Sequence, residues 1–283
     1  MCKSLAEGGR RCLDFDRLTS HDIAHFAPAP ADGIDDVAWR DDEGAMDRTA
    51  SYRKEAACWS LTLLEEVRSE EPAVTAAVRS AAADVGGSCH GLAFRMKSPD
   101  SLARKLDNEM AKASRQQRAQ PIDVEAIARA ESDDALRFTI ALERHEELPT
   151  GLERTIGSLR AQGWEPIEVK DSYLSGNSYK GLHLIARTPE QRVVEVQIHS
   201  EQSAKVKESI HEDYEVARDR SRSRAETRAA ARRCIEASRQ VSSPAGLAKY
   251  YPAGRSDDGD ATGLVGDVPI RKKAYTRSEG GAR

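Results

Sequence analysis

The residues whose types and spacing could do chemistry fall into three clusters. The first is Arg95-x-Lys97-x-x-x-Ser101-x-x-x-Lys105. On an extended chain Arg95 and Lys97, two apart, point to the same side. Ser101 and Lys105, four apart on a helix, share a face. Ser98-Pro99 between them reads as an N-cap and first helical residue, and a helix start offers free N–H groups and partial positive charge. Three cations, a hydroxyl and a helix N-terminus suit a polyphosphate; an ordinary basic surface is the alternative.

The second cluster is acidic. In Val193-Val194-Glu195-Val196-Gln197-Ile198-His199, strand alternation sets Val194, Val196 and Ile198 against Glu195, Gln197 and His199. Such a polar row marks either a catalytic face or an exposed one. Asp134 heads an earlier strand, and two carboxylates on neighbouring strands can hold Mg²⁺ against nucleotide phosphates. Parity puts Asp134 on the side of Leu136 and Phe138, so it must escape the core by sitting at the strand's end, with Asp133 as the alternate ligand. The third cluster is the loop Asn177-Ser178-Tyr179-Lys180-Gly181-Leu182-His183. Tyr179 is suited to stacking on a base, and Lys180 and His183 to meeting phosphate; a surface turn with one packed aromatic is the plainer alternative.

The elements that must position these clusters follow from hydrophobic periodicity. Ala56, Trp59, Leu63 and Val67 mark one helical face over residues 50–68, and a second helix is expected over 73–83, ended by Gly86-Gly87. A strand is expected over 90–96, a helix from Ser98-Pro99 to about Ser114, and a short helix after Pro121. Leu136, Phe138 and Ile140 alternate as a strand, 152–161 reads as a helix, and Ile167 and Val169 mark another strand. Residues 182–187 and 192–199 read as an antiparallel hairpin across a short Thr-Pro-Glu-Gln link. One long helix is expected over 201–240, with eight arginines from Arg218 to Arg239; a solvated face is the plainer reading of these, an RNA- or partner-binding stripe the other.

This order gives an α+β fold, a mixed sheet flanked by helices. The domain expected is 49–240. Residues 1–48, with Pro28, Pro30 and seven acidic residues between Asp32 and Asp47, read as a flexible acidic leader. The Gly-, Asp-, Ser- and Pro-rich tail 241–283 reads as disordered.

Bulk properties restrict the function. The 283 residues carry a net charge of −4, which argues against coating nucleic acid with the whole surface. No apolar run is long enough for a membrane span and the N-terminus has no secretory h-region, so a cytoplasmic protein is expected. Cys2, Cys12, Cys58, Cys89 and Cys234 are odd in number and scattered, as free thiols are. A zinc site in the leader would have to recruit His21 and His25 beside Cys2 and Cys12.

Taken in order, the clusters resemble the motifs of RelA/SpoT alarmone synthetases. The basic pattern resembles their R-x-K-x-x-x-S-x-x-x-K. Asp134-Ala135-Leu136-Arg137-Phe138 resembles their aspartate strand. Val169-Lys170-Asp171 with Asn177-x-Tyr179-Lys180-Gly181-Leu182-His183 resembles V-K-D…N-G-Y-R-S-L-H, and Glu195-Val196-Gln197-Ile198-His199-Ser200 resembles E-V-Q-I-R-T. His211-x-x-Tyr214 resembles the closing His and aromatic pair. The match spans about residues 88–218. The resemblance implies a nucleotide pyrophosphokinase. Arg95, Lys97, Ser101 and Lys105 would bind ATP, and Asp134 and Glu195 would place Mg²⁺. Glu195 would help deprotonate the acceptor 3′-hydroxyl. Tyr179, Lys180, His183, Asn177 and Gln197 would bind the acceptor, GDP, GTP or an adenine nucleotide. Departures stand where the family has arginine: Thr139 in the aspartate strand, Lys180 and His199. Lysine keeps charge but loses the bidentate fork. The gap from Lys105 to Asp134 is also long for the family. No hydrolase half is expected, since His21-Asp22 is isolated, and no regulatory domains, so the resemblance implies a short, stand-alone synthetase. A homo-oligomer or an antitoxin partner would fit such a protein. Pyrophosphate transfer to a tRNA 3′ end, as in toxin relatives, and a degenerate nucleotide-binding module without turnover remain as alternatives.

Overall fold

The structure, a computed structural model, describes residues 37–38, 45–116, 122–219 and 222–275. The acidic leader up to residue 36 lies outside the described residues, and with it the candidate zinc ligands Cys2, Cys12, His21 and His25. The chain divides into two compact units. Among described residues the first takes the chain up to Ala76, Gly91–Phe138 and Val193–Glu195. The second takes Ala77–His90, Thr139–Arg192 and the chain from Val196 onward.

The first unit is mostly helical. It holds α1 (Ala45–Ala50), most of α2 (Lys54–Asp84), α3 (Pro99–Gln116) and α4 (Val124–Ala130). The helical stripe read from the sequence is its core: Ala56, Trp59 and Leu63 pack with Leu106, Met110 and Ala128. Asp123 caps α4, its carboxylate accepting from the Ala126 N–H at 2.9 Å. Where two helices were expected, α2 is one, with Pro72 inside it. Pro72 removes a backbone donor, but Val74, Val78, Ala81 and Ala82 continue the buried stripe beyond it. That burial carries the helix through.

The second unit is built on a mixed sheet of order β1-β2-β5-β4-β3-β7-β6, with β1 (Ser88–Cys89), β2 (Arg137–Leu142), β3 (Glu165–Asp171), β4 (Leu182–Arg187), β5 (Val193–Ser200), β6 (Thr262–Val265) and β7 (Val268–Lys272). Strands β2 and β5 begin in the first unit and run into the second. β3 pairs antiparallel with β4 and parallel with β7. With α5 (Leu148–Ala161) burying Leu148, Leu152, Ile156 and Leu159, the architecture is α+β, a mixed sheet flanked by helices. Gly151 of α5 faces Leu142 so closely that a Cβ there would fall 2.2 Å from its Cδ1.

Three further expectations are corrected. The strand expected over 90–96 is only Ser88–Cys89, paired antiparallel with Ala141 and Ile140. Gly91 at φ 59° then turns the chain into a 3₁₀ turn over Leu92–Phe94. The long helix is three: α6 (Glu201–Ser209), α7 (His211–Arg218) and α8 (Arg224–Ser238). Ser223 and Glu226 form a capping box, a local start signal that competes with continuation. The tail is not disordered throughout. It forms a 3₁₀ turn over Ala245–Tyr250 and the β6–β7 hairpin, closed by Gly266 at φ 64°. Val265, Val268 and Ile270 are buried, and the Lys272 ammonium lies 2.8 Å from the Asp171 carboxylate at 1% and 0% side-chain exposure. No helix among the described residues is long and apolar enough to cross a membrane.

Candidate functional site

In the first unit, a lysine–carboxylate group forms where the chain enters α3 and where it enters β2. Asp134 lies in the turn just before β2, so it escapes the core at the strand's end. Lys97 Nζ donates to Asp134 Oδ2. Lys105 Nζ, from α3, donates to Asp133 Oδ1 at 2.7 Å and Asp134 Oδ1 at 3.0 Å, with Glu131 Oε2 at 3.4 Å. Burial works against ionising Asp134, but the Lys97 and Lys105 ammoniums hold its carboxyl well below the usual carboxylate range. Burial pushes the Lys97 ammonium down, against the pull of Asp134 and with the repulsion of Lys105 and Arg137.

Arg95 takes a different direction from Lys97. It closes the 3₁₀ turn in a helical conformation, φ −70° and ψ −27°, so strand alternation does not apply across it. Its guanidinium is buried, donating through Nε to Glu71 Oε1 and through Nη1 to the Leu92 carbonyl at 2.8 Å. Thr75 donates to the same Glu71 oxygen. Glu71 is a residue that sequence reasoning missed, for it sits among ordinary charged positions around Pro72. Ser101 is half-buried on the first turn of α3, one turn before Lys105. Glu195 is 8% exposed, and its N–H donates to the Leu136 carbonyl at 3.2 Å, which sets β5 beside the start of β2. No cluster of three or more His, Cys, Asp or Glu side chains placed to hold a metal occurs among the described residues. Asp133, Asp134 and Glu195 carry carboxylate oxygens, the donor type that hard cations take.

In the second unit, the tyrosine loop is folded inward. Tyr179 is 9% exposed, and its ring meets His183, His199 and Tyr275 edge-on at centroid distances of 5.2, 5.6 and 5.9 Å. Its hydroxyl lies 3.1 Å from Gln197 Oε1 and 2.7 Å from His199 Nε2. Gln197 Oε1 also accepts from Lys207 Nζ at 2.7 Å, and Lys207 donates to Thr139 Oγ1 at 2.9 Å. The polar row of β5 is therefore buried, not an exposed sheet face, and Gln197 and His199 belong to one network. Gly181 is required beside it: a Cβ there would fall 2.7 Å from the His199 ring and 3.1 Å from the Tyr179 oxygen. Burial holds the His199 imidazole well below its ordinary value, and the Lys207 charge adds to this.

The remaining loop residues serve the backbone. The Asn177 amide donates to the Ser172 and Lys273 carbonyls at 2.8 Å each and accepts from the Tyr275 N–H at 2.8 Å, stapling the loop to the chain after β7. Lys180 Nζ donates to the Val241 carbonyl at 2.6 Å, and burial pushes its ammonium down. His183 is 4% exposed on β4. Lys207, absent from the sequence-derived set, stands one helical turn after Ser203. Ser203 Oγ in turn lies 3.0 Å from His199 Nδ1, and that i,i+4 spacing is the signal that could have found it.

No family model matches the chain. No curated protein matches it either. Among solved structures it is similar to the small alarmone synthetase 1 from Bacillus subtilis bound to its product pppGpp, at 15% identity over 50% of this chain and 71% of that one, with a TM-score of 0.30. It is similar to the Type VI effector Tas1, solved with its immunity protein, at 16% identity over 70% and 96%, with a TM-score of 0.32. A GTP pyrophosphokinase family protein from Streptococcus pneumoniae aligns at 14% identity over 48% and 84%, with a TM-score of 0.28. At such identities and TM-scores the likeness fixes neither family nor activity for this chain.

Proposed function

We propose that the chain transfers pyrophosphate from ATP to the 3′-hydroxyl of an acceptor nucleotide, GDP, GTP or an adenine nucleotide. The observation that carries this reading is the convergence of Lys97 and Lys105 on the ionised Asp134 carboxylate. Two ammoniums and a carboxylate in one group are the parts that a metal-bound polyphosphate needs. The ordered motifs of the sequence support the same reading.

Asp134 and Glu195 would hold Mg²⁺, which would supply charge neutralisation on the phosphates. Lys97 and Lys105 then turn from carboxylate to phosphate oxygens, with the first turn of α3 and Ser101 beside them. Glu195 takes the proton of the acceptor 3′-hydroxyl. The acceptor oxygen bonds to the β-phosphorus, the bond from that phosphorus to the oxygen bridging the α-phosphate breaks, and AMP leaves with that oxygen. The chain contributes positioning and charge rather than covalent catalysis. The resemblance assigns the acceptor to Tyr179, Gln197, Asn177, Lys180 and His183, and these residues all belong to the second unit.

Arg95 favours a second reading, a nucleotide-binding module without turnover, because its guanidinium is committed to Glu71 in a buried pair. One assay separates the readings. The protein is incubated with ATP labelled in the β-phosphate, Mg²⁺, and GDP, GTP, ATP or deacylated tRNA. Label on a free nucleotide is the expected result, and label on tRNA would move the acceptor to RNA. ATP binding with no transfer to any acceptor would establish the second reading and overturn the first. Glu195→Gln is expected to lower transfer at least a hundredfold, within the range of a lost general base; an unchanged rate would remove Glu195 from the chemistry.

A further inference from the structure

The buried network of the second unit has a direction, and one residue outside the sequence-derived set determines it. Lys207 Nζ lies 2.7 Å from the Gln197 side chain. An ammonium only donates, so the atom it meets must be the amide oxygen, which only accepts. The Tyr179 hydroxyl lies 3.1 Å from that same oxygen, so the phenol hydrogen points at Gln197. With its one hydrogen spent, the phenol oxygen can only accept at its contact with His199 Nε2, 2.7 Å away. His199 therefore carries its hydrogen on Nε2. Its Nδ1, left without a hydrogen in the neutral ring, is an acceptor facing Ser203 Oγ at 3.0 Å, and the Ser203 hydroxyl also lies 3.2 Å from the Ser200 carbonyl. The Ser203 oxygen is itself held by the Ser200 N–H at 2.9 Å. The bonds run one way from His199 through Tyr179 to Gln197, and the Lys207 charge terminates the chain.

We propose that Lys207 is a positioning residue: by pinning the Gln197 amide oxygen it sets the direction of the His199–Tyr179–Gln197 chain, and so fixes which donors and acceptors the acceptor side presents. The part of this that concerns the acceptor rests on the function proposed above; the direction of the chain does not. Replacing Lys207 by a neutral residue frees the amide to turn over. With the amide nitrogen toward Tyr179, the phenol hydrogen points instead at His199, and the imidazole hydrogen moves to Nδ1. Lys207→Arg keeps a donor-only cation and is expected to keep the direction.

The test is long-range ¹H–¹⁵N spectroscopy on histidine-labelled full-length chain, with His199 assigned by comparison with His199→Gln. The wild type is expected to show the Nε2–H tautomer, Lys207→Arg the same, and Lys207→Met a mixture or the Nδ1–H form. A wild-type Nδ1–H signal overturns the proposal whether or not any variant folds, and so does an unchanged tautomer in folded Lys207→Met. In the transfer assay, Lys207→Met is expected to raise the acceptor KM about tenfold, on the scale of one lost hydrogen bond, with the ATP KM unchanged and Lys207→Arg rescuing it. An acceptor KM that does not move refutes the positioning role. A wild type with the expected tautomer and no transfer refutes the proposed function and leaves the chain's direction standing.

Discussion

Replacing Lys272 by Met should destabilise the second unit severely, although this residue lies in a stretch whose composition reads as disordered. Lys272 and Asp171 face each other at 2.8 Å with side-chain exposures of 1% and 0%. Removing one member of a buried pair typically costs about 3–5 kcal/mol, because the other charge is left without a counterion. Asp171 would not be stripped of every partner. The Tyr251 hydroxyl donates to its Oδ2 at 2.8 Å and the Tyr173 N–H to its Oδ1 at 2.9 Å. These bonds put the expected loss near the low end, about 3 kcal/mol, a large share of the roughly 5–15 kcal/mol that holds a folded protein together. At a urea dependence of about 2 kcal/mol per molar, the midpoint should fall by about 1.5 M. Asp171→Asn should also destabilise, since it leaves the Lys272 ammonium with the Tyr251 ring at 4.9 Å and the Tyr173 carbonyl at 3.4 Å. The double variant has no buried charge left, so it should lose less than the sum of the singles, with a coupling of about 2 kcal/mol. The assay is urea unfolding of the four proteins followed by circular dichroism. A Lys272→Met protein within about 1 kcal/mol of wild type, or two singles that simply add, would refute the argument that this pair fastens β7 to β3.

Two further substitutions probe the tyrosine network. Gly181→Ala places a methyl 2.7 Å from the His199 ring and should cost about 1–3 kcal/mol in urea unfolding, with a shifted His199 resonance; a neutral substitution would mean that the loop is not held against His199. His199 also predicts a pH dependence. Burial lowers its folded value below the ordinary one near 6.5, so as pH falls below about 6.5 the unfolded chain gains a proton that the folded chain does not. Stability from this residue is thus complete above that pH and falls by up to about 1.4 kcal/mol per pH unit below it. Urea unfolding of wild type and His199→Gln between pH 7 and 5.5 checks this: the variant should show the shallower decline, and equal slopes would mean that His199 is protonated in the fold.

Local signals carried well where one competing signal acted alone. Ser98-Pro99 and Pro121 mark helix starts by their own backbone chemistry, and α3 and α4 begin at or just after them. The alternation of β5 gave its two faces correctly, yet not that both are buried. A polar face can be covered as fully as an apolar one when its groups bond to one another, as Gln197, Tyr179, His199 and Lys207 do. Pairing across the chain was the harder part. Nothing in the segment around Glu71 announces that it neutralises Arg95, and nothing in the Gly- and Asp-rich stretch after Pro252 announces a hairpin. Its strands are short, and β7 is fixed by pairing with β3 and by Asp171, far earlier in the chain. Spacing placed Arg95 and Lys97 on one side, and the folded chain does not. A spacing argument needs a regular backbone between the two residues, and the 3₁₀ turn ending at Arg95 breaks that regularity. Lys97 meets Asp134, which sits at a strand's end, where parity no longer dictates the direction of the side chain. Chemistry-bearing positions were therefore legible as types and order. Which of them face each other depended on irregular turns that only the folded chain displays.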